Sequence, residues 1–281
     1  MCDDRVRSLP TFRIRWIGAL AGVVLAIPSA PAAEVLEYTS GHGDLEVRLI
    51  DGHLRWSYYL DSDVVLSGQL AGAKNSYQPG EIAVRVTDQG GVRQTAGAYG
   101  EVASAFIGDV GGDYVWTLPQ LQNPSAPWLG LGAETLNPQQ WTEPVRVALA
   151  DARMPVGGDF SLWARPGAEP WAFLSTFDPA ATLDSGHHPG PNRFTLPMGS
   201  HGHYNWSFTQ AGLYDITLTA EGVHQTAGAV SDTATFRFVV GDATAVPEAS
   251  VWPLLLVGVA CVWVGLRRRP ARSGRPVALG G

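Results

Sequence analysis

The sequence predicts an all-β exported domain, an immunoglobulin-like or jelly-roll β-sandwich with long loops. Three features favour this class. Short runs of alternating apolar and polar residues recur along the middle of the chain, 33 glycines and 20 prolines interrupt the sequence, and no amphipathic helical pattern of useful length is present. The expected domain covers residues 33–242, between an N-terminal signal peptide and a C-terminal hydrophobic anchor helix.

The start of this domain has the pattern of a β-meander. Alternating runs cover residues 45–49, 54–59 and 82–86, and Asp51-Gly52 lies between the first two. Asp and Gly accept the positive φ angles that a two-residue hairpin turn requires. The sequence therefore predicts a hairpin at this position.

The middle of the domain is rich in Pro, Trp and Asn over residues 115–141. Three prolines interrupt any long periodic pattern in its first half, which favours a long ordered loop. Within it, Ala-Glu-Thr-Leu at residues 133–136 predicts a short helical turn, and we expect Trp128 and Trp141 to cover the end of a sheet.

Short strand patterns resume after this segment, at residues 145–149, 160–163 and 171–174. The last two alternating runs, at residues 212–219 and 233–241, predict the closing hairpin of the sandwich. Because no internal repeat is evident, we expect one continuous domain.

The N-terminus has the features of a secretory signal peptide over residues 1–32. Several arginines precede an apolar run at residues 17–27, and Ala30-Pro31-Ala32 then provides a small-x-small cleavage pattern. The alternative is a retained membrane helix, but this run is much shorter than the roughly 20 residues that span a bilayer. Cleavage and export are therefore expected.

The C-terminus has the order of a stop-transfer signal. Residues 251–266 are apolar apart from the interruption at Pro253, and three arginines follow at residues 267–269. The positive-inside rule places these arginines on the cytoplasmic side, so residues 271–281 form a cytoplasmic tail and the domain lies outside the membrane. A membrane anchor is therefore expected here.

Val246-Pro247-Glu248, the apolar stretch and the arginines together resemble a PEP-CTERM sorting signal over residues 246–270. Such signals commonly read Pro-Glu-Pro, whereas this chain has Pro247-Glu248-Ala249. The resemblance implies recognition by an exosortase-type sorting protease, cleavage near the tripeptide, and transfer to the cell envelope or cell surface of a Gram-negative-type bacterium.

The charge and cysteine content of the exported region exclude several functions. Residues 33–246 contain 23 Asp and Glu against 10 Lys and Arg, a net charge of −13. This charge argues against nucleic-acid binding and favours attraction of cations. The two cysteines, Cys2 and Cys261, lie outside the region, so it contains no disulfide, thiolate metal site or cysteine nucleophile.

No motif identifies a catalytic or cofactor-binding residue. The chain lacks the serine-hydrolase elbow, the phosphate-binding glycine loop and the dinucleotide-binding glycine pattern. We therefore expect a non-catalytic protein.

A candidate metal site comes from the glycine-rich segment at residues 199–206. In a strand, residues two apart point to the same face, so His201 and His203 are expected to direct both imidazoles at one point. Gly202 between them leaves room for a ligand. Zinc and copper bind neutral imidazoles at about 2.0–2.1 Å, and His-x-His on a strand suits that geometry.

A second glycine-rich segment, Gly41-His42-Gly43-Asp44, offers further ligands. His42 or Asp44 would complete the site if the first strand pairs beside the His201 segment. The alternative is a His-x-His pair at a strand edge that bonds only to water or backbone.

Three segments resemble the choice-of-anchor M domain, an actinobacterial-type surface-anchored repeat domain encoded near metal-type ABC transporters. They are Gly41-His42-Gly43-Asp44-Leu45, Val115-Trp116-Thr117-Leu118-Pro119-Gln120 and Ser200-His201-Gly202-His203-Tyr204-Asn205-Trp206-Ser207-Phe208-Thr209. Residues 212–214 and 231–241 continue the resemblance, which spans most of residues 35–241. It implies that the three histidines of these segments act together with a metal.

The remaining histidines and the acidic pairs are weaker candidates. The adjacent His187 and His188 lie in a loop by composition, and His53 and His224 are expected to be surface residues. The acidic pairs at residues 61–63 and 109–113 lack the spacing and the terminal glutamate of a calcium loop.

Three other functions remain open. A module that binds envelope polysaccharide would use exposed tryptophans, a metallohydrolase would add a carboxylate base in an open pocket, and a purely structural surface protein would have neither. The exported domain has seven tryptophans: Trp56, Trp116, Trp128, Trp141, Trp163, Trp171 and Trp206. Because three of them lie inside alternating strand patterns, we expect burial rather than a sugar-binding surface.

Overall fold

The computed structural model describes residues 35–88, 93–95, 106–108, 114–165, 170–177 and 192–243. The expected signal peptide, sorting signal, anchor helix and cytoplasmic tail lie outside these residues, as do His187 and His188. Within the described ranges, no helix has the length and apolar character needed to cross a membrane.

Most of the described chain is β-strand. The strands are β1 (Leu36–Ile50), β2 (His53–Leu60), β3 (Val65–Leu66), β4 (Gln69–Leu70), β5 (Asn75–Tyr77), β6 (Ile82–Val86), β7 (Arg93–Thr95), β8 (Tyr114–Leu118), β9 (Pro127–Gly132), β10 (Trp141–Arg153), β11 (Phe160–Ala164), β12 (Trp171–Ser175), β13 (Arg193–Thr195), β14 (His201–His203), β15 (Asn205–Phe208), β16 (Gly212–His224) and β17 (Gly228–Val240). Short 3-10 helices, Pro79–Glu81 and Pro138–Gln140, precede β6 and β10.

The strands form two sheets. The larger sheet has the order β13-β10-β16-β17-β6-β1-β2-β5, and β1 also pairs with β3 and β9. The smaller sheet has the order β12-β11-β15-β8-β7. Strand β6 is parallel to both β1 and β17, and β9 is parallel to β1, whereas the other pairs are antiparallel.

An apolar core joins the two sheets. The ring of Trp206 in the smaller sheet lies 5.4 Å from that of Phe238 in the larger one, and Phe208 lies 5.1 Å from the same ring. All three side chains have 0% exposure. The predicted all-β class is confirmed, with two sheets packed through one main core.

Both predicted hairpins are present, but the predicted opening β-meander is wrong, because β6 pairs in parallel with β1 and not with β2. Asp51 and Gly52 have φ angles of 49° and 78°, and they connect β1 to β2 as the turn signal predicted. Strands β16 and β17 pair along their whole length as the closing hairpin.

The predicted long loop at residues 115–141 is wrong. The segment contains β8 and β9, and Pro127 is the first residue of β9, where proline is tolerated. Leu129 and Leu131 are buried and alternate with two glycines, which is a strand pattern that the prolines and glycines obscure.

The predicted short helical turn at residues 133–136 is present as a single hydrogen-bonded turn that does not extend into a helix. The Leu136 N–H donates to the Ala133 carbonyl at 3.0 Å. The side chain of Trp141 is 8% exposed at the start of β10, so this residue packs as a strand side chain.

Gly41 allows β1 to bend between two sets of partners. Residues 36–40 of β1 contact β6 and β3, whereas its later residues pair with β2 and β9. Gly41 has a φ of 97°, and a Cβ at this position would lie 2.6 Å from Val64 Cα. Only glycine fits this bend, which directs the following residues of β1 toward β9.

Ionisation of the buried Tyr214 phenol is expected to destabilise the folded protein at alkaline pH. Its side chain is 0% exposed, and its hydroxyl donates to the Gln210 carbonyl at 2.9 Å. Burial, with a smaller contribution from the Asp159 charge, raises its pKa from 10.0 to about 12. The folded state therefore favours the protonated phenol, and this stabilisation is complete below about pH 10 and is lost as the pH rises through about 12.

Over this pH range, the unfolding free energy of the wild type is expected to decrease more than that of Tyr214→Phe. The difference between the two decreases is on the order of 2 kcal/mol. Urea denaturation followed by circular dichroism between pH 9 and 12 measures it. Tyr114→Phe, at a tyrosine that is 47% exposed, is the matched control. Parallel pH profiles for the wild type and Tyr214→Phe would contradict this expectation.

Candidate metal centre

The candidate site lies on one face of the neighbouring strands β1, β9 and β14. Strand β9 pairs with β1 on one side and with β14 on the other. The register aligns Asp44, Gly130 and His203 in one row across the three strands. Strand β1 therefore does not pair directly with the His201 segment, because β9 lies between them.

Two glycines in the central strand make room for the site. A methyl group at Gly130 would overlap Asp44 Oδ1 and would lie 3.2 Å from His203 Cε1. A methyl group at Gly132 would overlap Glu46 Oε2. The missing side chains of β9 therefore create the space into which side chains from β1 and β14 extend.

Four predicted residues meet over this space. His42, Asp44, His201 and His203 each offer one donor atom, and these atoms lie within 4.8 Å of one another. The ring centroid of His42 is 5.6 Å from that of His201 and 5.1 Å from that of His203, while the two rings of β14 are 5.3 Å apart. The His-x-His pair lies on a strand, as its spacing predicted.

Carboxylates orient two of the imidazoles from outside the cluster. His42 Nδ1 lies 3.1 Å from Asp61 Oδ2, and His201 Nδ1 lies 2.5 Å from Glu134 Oε1. Lys74 Nζ bonds Asp61 Oδ1 at 2.8 Å. A neutral imidazole that donates from Nδ1 keeps its lone pair on Nε2, so this pairing favours the tautomer that binds a metal through Nε2.

His203 is held differently, by stacking. Its ring lies 3.8 Å from that of Trp128 with an interplanar angle of 10°. Neither ring nitrogen of His203 has a hydrogen-bond partner among the described residues. Trp128 therefore contacts the site, whereas the sequence predicted that it covers a sheet end.

Several buried polar atoms of the site lack partners among the described residues. They include His42 Nε2, Asp44 Oδ1 and Glu46 Oε1, in addition to the nitrogens of His203. Asp44 and Glu46 are only 4% and 2% exposed. Unpartnered buried polar groups are costly, and a bound cation could supply the partner that these atoms lack.

Burial is the largest cause of the pKa shifts of Asp44, Glu46 and His203. It raises the pKa of Asp44, although His42 and His201 act in the opposite direction. Burial also raises the pKa of Glu46 to about 7. Burial, followed by the charges of His42 and His201, lowers the pKa of His203 to about 3, so this ring stays neutral, the form that binds metals.

The pKa of Asp61, at the edge of the site, is lowered, whereas that of Asp44 is raised. Although its burial alone raises its pKa, the hydrogen bonds from Lys74 and His42 together hold the pKa of Asp61 below its usual value. Asp61 therefore remains a carboxylate that accepts from His42. Its carboxylate bonds to these two side chains.

Four residues around the donors were not predicted to belong to the site: Asp61, Glu134, Trp128 and Glu46. For Glu46 a signal was available, since it is two residues beyond Asp44 on the same face of β1. Gly202 was misinterpreted. A Cβ there would lie 3.0 Å from the hydroxyl of Tyr204, so Gly202 accommodates the tyrosine instead of a ligand.

The other histidines differ in their surroundings. His53 is exposed, as predicted. His224 is only 8% exposed, so its prediction as a surface residue is wrong. Its Nδ1 accepts from the Thr226 and Ala227 N–H groups at 3.3 and 3.2 Å, which stabilises the turn between β16 and β17.

None of the seven tryptophans in the described ranges is exposed. Trp56, Trp163 and Trp206 are at most 2% exposed, as their strand patterns predicted. Trp128 and Trp171 are half-buried. The described surface thus has no exposed row of tryptophans on which sugar rings could stack.

Comparison of the chain with models of protein families, with curated proteins and with solved structures gave no match in any of the three.

Proposed function

We propose that this chain is an envelope-anchored, non-catalytic β-sandwich protein that binds one transition-metal ion through His42, Asp44, His201 and His203. Zinc and copper are the expected metals. The proposal also includes the immunoglobulin-like or jelly-roll class and the membership in the choice-of-anchor M domains that the sequence resemblance implies.

The observation that carries the proposal is the approach of the four donor atoms to within 4.8 Å of one another. Ligands about 2.0–2.2 Å from one zinc ion are themselves separated by about 3–4 Å, so only small side-chain movements bring these donors onto a common ion. Three imidazoles and one carboxylate form a donor set that zinc and copper accept.

The surroundings of the donors support the same function. Asp61 and Glu134 bond to the outer nitrogens of two histidines, the arrangement that commonly orients metal-binding imidazoles. The unpartnered Asp44 oxygen, in a side chain that is 4% exposed, would gain a cation as its partner.

The proposed location rests on the two ends of the sequence. The signal-peptide pattern at residues 1–32 supports export, and the PEP-CTERM-like segment at residues 246–270 supports handling by an exosortase-type protease and anchoring through the C-terminal helix. An acidic exported domain is suited to collecting cations at a cell surface.

Metal analysis of the purified protein tests the binding function. After exposure to zinc or copper and removal of free metal, the wild type is expected to retain about one equivalent per chain. His201→Ala/His203→Ala is expected to lose at least about 100-fold in affinity, because second-shell changes alone cost 10- to 100-fold.

His53→Ala is the matched control, since it removes an exposed histidine outside the cluster. Circular dichroism of each variant separates lost binding from lost folding. The proposal is wrong if the folded wild type retains no more metal than the folded double variant.

A further inference from the structure

The strand register places Trp128 within reach of His203. In the antiparallel pair of β9 and β14, His203 lies opposite Gly130, and Trp128 precedes Gly130 by two residues on the same face of β9. Aromatic side chains at such diagonal positions can meet. Because Gly130 has no side chain, the indole and the imidazole stack face to face, with ring centroids 3.8 Å apart and an interplanar angle of 10°.

Of the three imidazoles in the cluster, His203 depends most on such a contact. His42 and His201 are oriented through their Nδ1 atoms by Asp61 and Glu134. Both ring nitrogens of His203 lack a hydrogen-bond partner among the described residues. An imidazole without a hydrogen bond can turn about its side-chain bonds, which moves its donor atom away from the other ligands. The stack on Trp128 fixes the plane of this ring.

The indole of Trp128 is itself fixed by a hydrogen bond to the chain that follows β8. Its Nε1–H donates to the Gln120 carbonyl at 3.0 Å. The Gln120 N–H donates to Asn205 Oδ1 at 2.9 Å, and Gln120 Oε1 accepts from the Arg165 N–H at 3.0 Å. Asn205 lies on β15 and is 9% exposed. A hydrogen-bonded segment of the smaller sheet therefore holds Trp128 in place.

Core packing is a weaker account of Trp128. The residue is half-buried, and its aromatic partners among the described residues include His203 and, at 4.9 Å, His42. Metal coordination withdraws electron density from an imidazole, which strengthens its attraction to the electron-rich face of an indole. The contact would therefore favour the metal-bound state over the metal-free state.

We propose that Trp128 is a positioning residue of the metal centre, with the role for His203 that Asp61 and Glu134 have for the other two imidazoles. This inference rests on the proposed metal-binding function. Trp128 supplies no ligand atom. It acts by holding the His203 ring in the orientation that binding requires, before the metal arrives.

Zinc affinity, measured by competition with a chromophoric chelator, tests this role. Trp128→Leu removes the stacking surface and is expected to weaken zinc binding about tenfold or more, since the loss of a residue that orients a ligand commonly costs 10- to 100-fold. Trp128→Phe keeps a flat ring and is expected to remain within about threefold of the wild type. Trp171→Leu, at another half-buried tryptophan, is the control and should bind zinc as the wild type does.

Two further backgrounds test whether Trp128 acts through His203. In His203→Ala, the added Trp128→Leu substitution is expected to weaken zinc binding by less than about twofold, because its partner is absent. In His201→Ala, which also lacks one imidazole but keeps His203, the same substitution should retain its cost of about tenfold. Circular dichroism verifies that each variant is folded.

Proton NMR of the metal-free protein gives a readout that does not depend on zinc. The ring current of an indole stacked at this distance is expected to move the His203 ring-proton signals upfield in the wild type. Trp128→Leu should return these signals downfield, and Trp128→Phe should keep part of the upfield shift. Signals at the same position in the wild type and Trp128→Leu would contradict the stack and overturn the positioning role.

The outcomes distinguish the two proposals. Failure of the folded wild type to bind zinc or copper overturns both. Zinc binding by folded Trp128→Leu that is as tight as in the wild type overturns only the positioning role. Equal costs of Trp128→Leu in the His203→Ala and His201→Ala backgrounds would mean that Trp128 does not act through His203, and would also overturn it.

Discussion

Gly130→Ala is expected to reduce metal affinity by about 100-fold or more, although the substitution adds a single methyl group and removes no ligand. That methyl would overlap Asp44 Oδ1, and it would lie 3.1 Å from the Gly202 carbonyl oxygen and 3.2 Å from His203 Cε1. The Asp44 carboxylate must therefore move away from the cluster. Because the site is tightly packed, we also expect a loss of about 1–3 kcal/mol in unfolding free energy.

Isothermal titration with zinc and urea denaturation measure the two effects. Gly80→Ala is the control, since a Cβ at this position would have no neighbour within 4 Å. Combining Gly130→Ala with Asp44→Ala is expected to recover part of the lost stability, because the overlapping carboxylate is then absent, and to leave metal affinity as low as in the single variant.

This double-mutant comparison tests whether the missing side chain at Gly130 is needed to accommodate the Asp44 carboxylate. If Gly130→Ala binds zinc as tightly as Gly80→Ala, the carboxylate of Asp44 does not contribute to the site. If the two substitutions lower stability additively, the methyl group does not act through Asp44, and the physical account given for β9 is wrong.

The strands with clear alternation were predictable from the sequence, and the strand that forms the floor of the site was not. Residues 45–49, 54–59 and 212–219 alternate without breakers and lie in β1, β2 and β16. In β9, proline begins the strand and glycines replace two side chains, so local composition favours a loop. The same glycines are needed because side chains from the neighbouring strands fill their space.

All four donors were named from the sequence, but only the His-x-His pair has a local signal for its geometry. The spacing of His201 and His203 is sufficient to predict a shared face on a strand. Glu134 is 67 residues from its partner His201, and Asp61 is 19 residues from His42, so these contacts depend on strand pairing that no local pattern specifies. The meeting of β1 with β14 across β9 depends on the same pairing.

Trp206→Ala is expected to lower the unfolding free energy by about 3–5 kcal/mol, the largest stability effect that we anticipate for a single substitution here. Trp206 has 0% exposure and packs against Phe238 of the opposite sheet and Phe160 of its own. Its removal leaves a cavity where the two sheets meet. Urea denaturation followed by circular dichroism measures the loss, with Trp171→Ala, at a half-buried residue of β12, as the comparison.

Trp206 also connects the core to the candidate site, and Trp206→Phe separates these roles. Its Nε1–H donates to the Leu129 carbonyl at 3.1 Å, and Leu129 precedes Gly130 in β9. Phenylalanine retains most of the packing but loses this hydrogen bond, which contributes about 1 kcal/mol. If the bond positions β9, Trp206→Phe lowers zinc affinity several-fold while remaining more stable than Trp206→Ala. If folded Trp206→Phe binds zinc as tightly as the wild type, the hydrogen bond from Trp206 to Leu129 does not influence the four donors. Strand pairing alone would then position β9.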